Sequence, residues 1–326
     1  MSQISLRKYT MIIDAHMHVK FKGFEAKNVI AYLDKYRVEQ CWLLTWEEIN
    51  PVIPKDYIHL SVEDVFETYE KYPSRVIPMY APDPSAADFK DKMITWYQKG
   101  IKGCGELKVS LSWNSKEIDR LLTCISNLNI PLVFHMEGSR DCFISNSTWE
   151  HLLAKLFSLS NQFGQSRQMM NLITKICPPL KSKRNSMLCH FPGYLFDFIH
   201  LENRLIEHPQ VAFIGHGPLF WKGIAADWIY DPSIYPKTPI KEEGVICNLL
   251  SKYDNLYADI SGPSGFNALY RDRIFAKQFL TQYDQKILYG TDNFELGLKD
   301  FLRALNLAPK TYGRIYYENA VNLILN

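Results

Sequence analysis

The 326-residue chain carries almost balanced charge, with 37 lysines and arginines against 35 aspartates and glutamates and a formal net charge of +2. Hydrophobic residues make up 47% of the sequence, which excludes an intrinsically disordered chain and supplies a large core. This balance gives no reason to expect nucleic acid as a partner, and no apolar run is long enough to cross a membrane. The seven cysteines show no paired spacing and the N-terminal residues lack the apolar stretch of a secretory signal, so we expect a reducing, cytoplasmic location.

Eight short apolar runs follow one another along the chain, separated by longer stretches with helical periodicity. Few of the runs alternate apolar and polar residues, which is typical of parallel strands buried on both faces. This alternation of strands and helices predicts an α/β fold, a distorted (β/α)8 TIM barrel that forms one domain over residues 1–326. A doubly wound sheet fits less well, because no glycine-rich phosphate loop follows the first run. The predicted strands are residues 11–16, 40–45, 75–80, 101–107, 130–136, 211–215, 255–260 and 286–291.

Two of the intervening stretches, residues 61–72 and 115–128, are predicted as amphipathic helices. The first begins at Ser61 with Asp64 three residues later, which is a typical N-terminal capping pattern. Residues 139–193, after the fifth strand, are too long for a loop between a strand and a helix and contain seven basic residues against two acids. We predict a helical insertion there, which is either a lid over the barrel or a solvated decoration.

Side chains that bind metal ions follow five of the predicted strands. The C-terminal strand ends of a barrel lie together on one face, where the chemistry of such folds takes place. Buried ionisable groups are costly unless they are paired or bind a metal, so core packing does not account for this pattern. The sequence therefore predicts a metal centre. Its candidate residues are His16 and His18 after the first strand, Glu106 after the fourth, His135 after the fifth, His216 after the sixth and Asp292 after the eighth.

These motifs resemble the amidohydrolase superfamily, in particular the amidohydrolase-2 branch with the aminocarboxymuconate-semialdehyde and resorcylate decarboxylases. The resemblance covers nearly the whole chain except the insertion and implies a barrel that holds a divalent ion, with zinc favoured. The matching elements are D-A-H-M-H at 14–18, His135, G-H-G at 215–217, LYADIS at 256–261, YGTD at 289–292 and the closing YYENAVNLI at 316–324.

The resemblance also implies roles for these residues. His16, His18 and His135 would be metal ligands, and Asp292 would be a fourth ligand or the group that accepts a proton from water. His216 would lie beside the metal and polarise a substrate oxygen, or it would bind a second ion.

Glu106 departs from the family, many of whose members have a carbamylated lysine at the fourth strand. A carboxylate there would complete a site with one ion, which we favour, or bridge two ions. Lys108 lies on the same face of the strand as Glu106 and is a weaker candidate for the bridging role.

The pattern predicts an enzyme that acts on a small molecule, and a homo-oligomer is compatible with it. Hydrolysis by metal-activated water is the first hypothesis, decarboxylation by a lyase on the same barrel is the second, and a catalytically silent ligand-binding barrel is the third. The predicted substrate-binding residues are Trp46, Lys108, Arg140 and Trp221.

Overall fold

The computed structural model of the protein describes residues 11–47, 59–143, 172, 175, 188–231 and 233–325. Eight parallel strands and one antiparallel pair lie in this part of the chain, and each parallel strand falls within or next to a run that the sequence predicts. The strands are β1 (Ile13–Met17), β2 (Gln40–Leu43), β3 (Val76–Pro78), β4 (Cys104–Leu107), β5 (Leu132–His135), β6 (Arg140–Phe143), β7 (Leu188–Phe191), β8 (Phe213–His216), β9 (Leu256–Asp259) and β10 (Ile287–Leu288).

The parallel strands form two sheets, in the orders β1-β2-β3 and β10-β9-β8-β5-β4. Backbone contacts join the sheets on both sides. Met79 and Gly103 form a parallel bridge between the ends of β3 and β4, and the Ala15 amide donates to the Tyr289 carbonyl at 2.8 Å. The eight strands are thereby connected all the way around, which confirms the predicted TIM barrel. Register shifts in the β1–β2 and β4–β5 pairs distort it.

Helices on the outside of the barrel follow most strands. Ser61 caps the first predicted helix, since its hydroxyl accepts a hydrogen bond from the Asp64 amide at 3.2 Å. Among the described residues, no helix combines the length and the apolar character needed to cross a bilayer. The α-helices are α1 (Ala26–Tyr36), α2 (Val62–Lys71), α3 (Phe89–Lys99), α4 (Lys116–Leu128), α5 (Phe198–Glu207), α6 (Pro218–Lys222), α7 (Val245–Lys252), α8 (Gly262–Tyr270), α9 (Arg273–Gln282), α10 (Leu298–Ala304), α11 (Pro309–Gly313) and α12 (Asn319–Leu325).

The hydrophobic core has two parts. The larger part lies between the strands and the surrounding helices, where amphipathic helices such as α4 bury one face. The smaller part fills the barrel interior with side chains from alternate strand positions, including Trp42, Met79 and Val133. The C-terminal helix α12 packs against this interior cluster through Ala320 and Val321. The interior is therefore a packed core, and ligand chemistry is left to the strand ends.

The two ends of the predicted insertion are strands. These strands, β6 and β7, pair antiparallel with Arg140 opposite Phe191. Leu172 and Lys175 are helical, and the rest of residues 144–187 lies outside the described residues. A two-stranded ribbon at the base is therefore added to the predicted helical insertion, and the role of the insertion stays a prediction.

Candidate metal centre

The structure brings the predicted metal-binding side chains together at the C-terminal ends of the strands. Two groups of three have ligand atoms within 4.8 Å of one another, and they share His16. One group adds Glu106 and His216 to it, and the other adds His18 and Asp292. Each of these side chains is buried except that of Asp292, which is 16% exposed. Residues that are separated by up to 276 positions in the sequence thus form one buried polar cluster.

The first strand presents two imidazoles with their Nε2 atoms facing the same point. His16 Nδ1 donates to Asp259 Oδ2 at 2.5 Å, and His18 Nδ1 donates to the Leu44 carbonyl at 2.9 Å. These bonds leave Nε2 of each ring as the atom that faces the site, and the two Nε2 atoms are 3.2 Å apart. Two nitrogens at 2.0–2.1 Å from a tetrahedral ion are separated by about 3.3 Å, so the spacing fits a shared metal ion.

Glu106 supplies the clearest sign of a cation-binding site. Its Oε1 accepts a hydrogen bond from His135 Nδ1 at 2.8 Å, but its Oε2 is buried without any hydrogen-bond partner. Oε2 lies 3.7 Å from His18 Nε2, and Oε1 lies 3.8 Å from His16 Nε2. Burial opposes a charge on Glu106, but nearby Lys108 and His135 outweigh it and hold the pKa of this carboxyl well below its usual range. A buried, ionised oxygen without a partner is costly, and a metal ion would satisfy it.

Three carboxylates make the site strongly negative. Despite burial, neighbouring histidines hold the pKa of both Asp259 and Asp292 below the ordinary value, so these groups are ionised together with Glu106. Burial acts most strongly on both groups and raises their pKa, and among the groups that lower the pKa His16 contributes most at Asp259 and the hydrogen bond of His18 most at Asp292. A divalent cation among these groups would balance their charge, and imidazole and carboxylate ligands suit zinc or manganese.

This electrostatic balance predicts proton release when metal binds. Burial alone would lower the pKa of His16, but the carboxylate of Asp259 outweighs it and raises the pKa to about 10 in the metal-free protein. The ring is then protonated at pH 8, and an ion that binds Nε2 must displace that proton. We expect release of about one proton at pH 8 and an apparent affinity that rises up to tenfold per pH unit towards pH 10. Calorimetry in buffers of different ionisation enthalpy measures the release, and metal binding without proton release at pH 8 would contradict it.

His216 and His135 follow their strands in the same way in the sequence, but they make different contacts in the structure. His216 lies inside the cluster, with Nε2 4.0 Å from Glu106 Oε1 and Nδ1 3.0 Å from the Ser261 hydroxyl. Both ring nitrogens of His135 instead face carboxylates, Nδ1 that of Glu106 and Nε2 that of Glu137 at 3.2 Å. His135 therefore contacts the site through Glu106, and its ligand role stays a prediction.

The predicted substrate-binding residues lie in different places. Trp46 packs on His18 with ring centroids 4.6 Å apart, and the Lys108 ammonium lies 4.1 Å from the centroid of the Trp46 indole ring. These two residues therefore lie on the His18 side of the polar cluster. Trp221 is 1% exposed and donates from Nε1 to the Asp259 carbonyl, so it supports the end of β9 from behind. The side chain of Arg140 lies outside the described residues.

Three residues of the site are missing from the sequence-based set. Asp259 ends β9 as the predicted residues end their strands, so the same signal was present in the LYADIS motif. Glu137 follows β5 by two residues and bonds His135. Asn293 holds the backbone of His18 with two hydrogen bonds. Its side chain accepts from the His18 amide and donates to the His18 carbonyl, both at 2.8 Å. Only the folded backbone brings Asn293 to this strand.

No family model and no curated protein matches the sequence, but solved structures match nearly the whole chain. A TIM-barrel protein from Bordetella bronchiseptica matches at TM-score 0.60 and 12% identity, over 97% of this chain and 98% of that chain. A 5-carboxyvanillate decarboxylase from Novosphingobium aromaticivorans, solved with manganese, matches at TM-score 0.52 and 13% identity, over 97% and 96%. A probable 2-pyrone-4,6-dicarboxylic acid hydrolase from Acinetobacter baumannii, with citric acid bound, matches at TM-score 0.50 and 14% identity, over 97% and 99%. The chain has the TIM-barrel fold of these proteins. The fold that the resemblance implied is thereby confirmed.

Proposed function

We propose that the protein is a metal-dependent enzyme of the amidohydrolase superfamily that acts on a small organic substrate. The observation that carries the proposal is the buried, unpaired Oε2 of Glu106, which lies 3.7 Å from the Nε2 atom of His18. Together with His16 and Asp292 these residues would hold one divalent ion, zinc or manganese. The sequence motifs and the shared barrel fold support the assignment to this superfamily.

A bound divalent ion would supply Lewis acidity at a substrate oxygen and lower the pKa of water at the site. The chain itself supplies the groups that move protons. Burial and the nearby charge of His16 lower the pKa of His216 to about 4, so His216 is neutral at physiological pH and can hydrogen-bond a substrate oxygen. Asp292 is ionised and partly exposed, which suits a group that accepts a proton from water or substrate. Lys108 beside Trp46 would attract a negatively charged part of the substrate.

Hydrolysis is our first choice of reaction and decarboxylation is the second. Both are kept because the same set of residues can serve either reaction. The solved structures that carry activity names include one hydrolase and several decarboxylases, so both reactions are candidates. Assays with 2-pyrone-4,6-dicarboxylate and 5-carboxyvanillate in water enriched in oxygen-18 separate the two reactions. Hydrolysis places the label in the organic product, whereas decarboxylation releases carbon dioxide and leaves that product unlabelled.

Metal content tests the proposal without a known substrate. We expect protein purified after growth with zinc and manganese to retain about one equivalent of a divalent metal, measured by elemental emission. A chelator should remove the metal and lower the melting temperature, because a ligand that binds only the folded state stabilises it. Two equivalents would replace the one-ion arrangement with a bridged pair. Failure to bind either metal at micromolar concentration would favour the silent barrel.

A further inference from the structure

Asp259 is a buried carboxylate beside two imidazoles of the polar cluster, those of His16 and His216. Its side chain is fully buried at the end of β9. One oxygen, Oδ2, accepts the hydrogen bond from His16 at 2.5 Å and lies 3.7 Å from His216 Nδ1. The other oxygen, Oδ1, accepts from the backbone amide of Ser261 at 2.8 Å. A single carboxylate thus touches or approaches both imidazoles of the group that contains Glu106.

The surrounding structure holds this carboxylate in one position. Trp221 donates its indole N–H to the Asp259 carbonyl at 2.9 Å, which fixes the strand end. Gly290 lies directly beside the pair, and a Cβ atom there would come within 2.8 Å of Asp259 Oδ1 and 2.9 Å of His16 Cβ. Any larger residue at position 290 would therefore clash with both side chains that the hydrogen bond joins.

The position of this bond decides which nitrogen of His16 can bind metal. A neutral imidazole carries its proton on one nitrogen and offers the other as a ligand. Because the carboxylate accepts from Nδ1, the proton on Nδ1 stays when the ring loses its second proton, and the lone pair of Nε2 then faces Glu106 and His18. A carboxylate in this place also increases the basicity of the ring and fixes its orientation.

We propose that Asp259 is a positioning residue that fixes the tautomer and orientation of His16 for metal binding, and that Gly290 keeps the space for this contact. This inference rests on the metal centre proposed above. Asp259 does not touch the ion in this arrangement and acts through the imidazole alone. Strand β9 thereby contributes to the metal centre without supplying a ligand.

The Asp259→Asn variant tests the inference. We expect its affinity for zinc, measured by competition with a chromophoric chelator, to fall 10- to 100-fold. The visible absorption spectrum of the cobalt-substituted variant should also change, since the orientation of a ligand ring is altered. Asp284→Asn is the matched control, because Asp284 is also buried but contacts Thr311 and Arg314. We expect that control to lose stability and keep both the affinity and the spectrum.

The outcomes distinguish this inference from the proposed function. If the wild-type protein binds no metal, the proposed function fails before any variant is compared. If the wild type binds zinc and Asp259→Asn matches it in affinity and cobalt spectrum, the inference alone is overturned. Should Asp259→Asn not fold, nitrogen-15 NMR of the zinc-loaded wild type, labelled at histidine, decides the question. We expect the proton of His16 on Nδ1 and the metal on Nε2, and the reverse would overturn the inference.

Discussion

Replacing Glu106 with glutamine is expected to weaken metal binding by two to three orders of magnitude and to abolish activity at ordinary metal concentrations. Glutamine nearly matches the volume of glutamate, so the barrel should still fold. What it lacks is the charge, and removing one partner from a buried charged pair costs about 3–5 kcal/mol, or more than 100-fold in affinity. Metal affinity by chelator competition and the melting temperature of the metal-free protein measure the two effects separately.

Glu202→Gln provides the control for this experiment. Glu202 lies on α5 at the outer surface, where it accepts hydrogen bonds from Lys252 and Tyr253 at 2.7 Å. The same chemical change at that position should leave metal affinity unchanged and alter stability by less than about 1 kcal/mol. Wild-type affinity in Glu106→Gln would remove Glu106 from the metal centre and withdraw the observation on which the proposed function depends.

The double replacement of His16 and His18 by glutamine is expected to abolish metal retention altogether. Both Nε2 atoms face the same point, and an amide side chain is a poor substitute for imidazole as a zinc ligand. The variant should still fold, because the barrel interior is filled by other side chains and glutamine keeps most of the volume at each position. Elemental emission after gel filtration measures the retained metal, and circular dichroism reports the fold.

His208→Gln is the matched control for the histidine variant. His208 is also buried, but it follows α5 on the outside of the barrel. We expect this control to keep the full metal content of the wild type. A folded His16→Gln/His18→Gln double variant that retains one equivalent of metal would refute the assignment of both ligands.

The strand pattern could be predicted from the sequence because parallel strands in a barrel are buried on both faces. Continuous apolar runs therefore mark the strands, and the first polar residues after the runs mark the face where function is located. His16, Glu106, His216 and Asp292 follow this rule and lie in two groups that share His16. The base of the insertion is not helical, although helical patterns in this segment led to the prediction of a helical insertion. Strands β6 and β7 are stabilised by pairing with each other across a long stretch of sequence, which local patterns do not reveal.

The sequence could not rank the residues of the site. Asp259 ends its strand like the predicted ligands, but it bonds His16 from behind, which depends on the side chains of a neighbouring strand. Trp221 resembles a substrate-binding residue in the sequence, and it is buried because α6 turns it towards the carbonyl of Asp259. Whether a polar side chain faces the site or supports it depends on its contacts with neighbouring elements, which hydrophobic periodicity does not encode.

The sequence by itself therefore determined the barrel, the face that carries the chemistry and the residue types that gather there, since these follow from burial and strand alternation. The tertiary structure alone decided which nitrogen of His16 and of His18 faces the polar cluster, which oxygen of Glu106 lacks a partner and which aspartate bonds His16. Those properties depend on distances of 2.5 to 4.0 Å between side chains from different strands. Only the closed ring of strands brings those atoms within reach of one another.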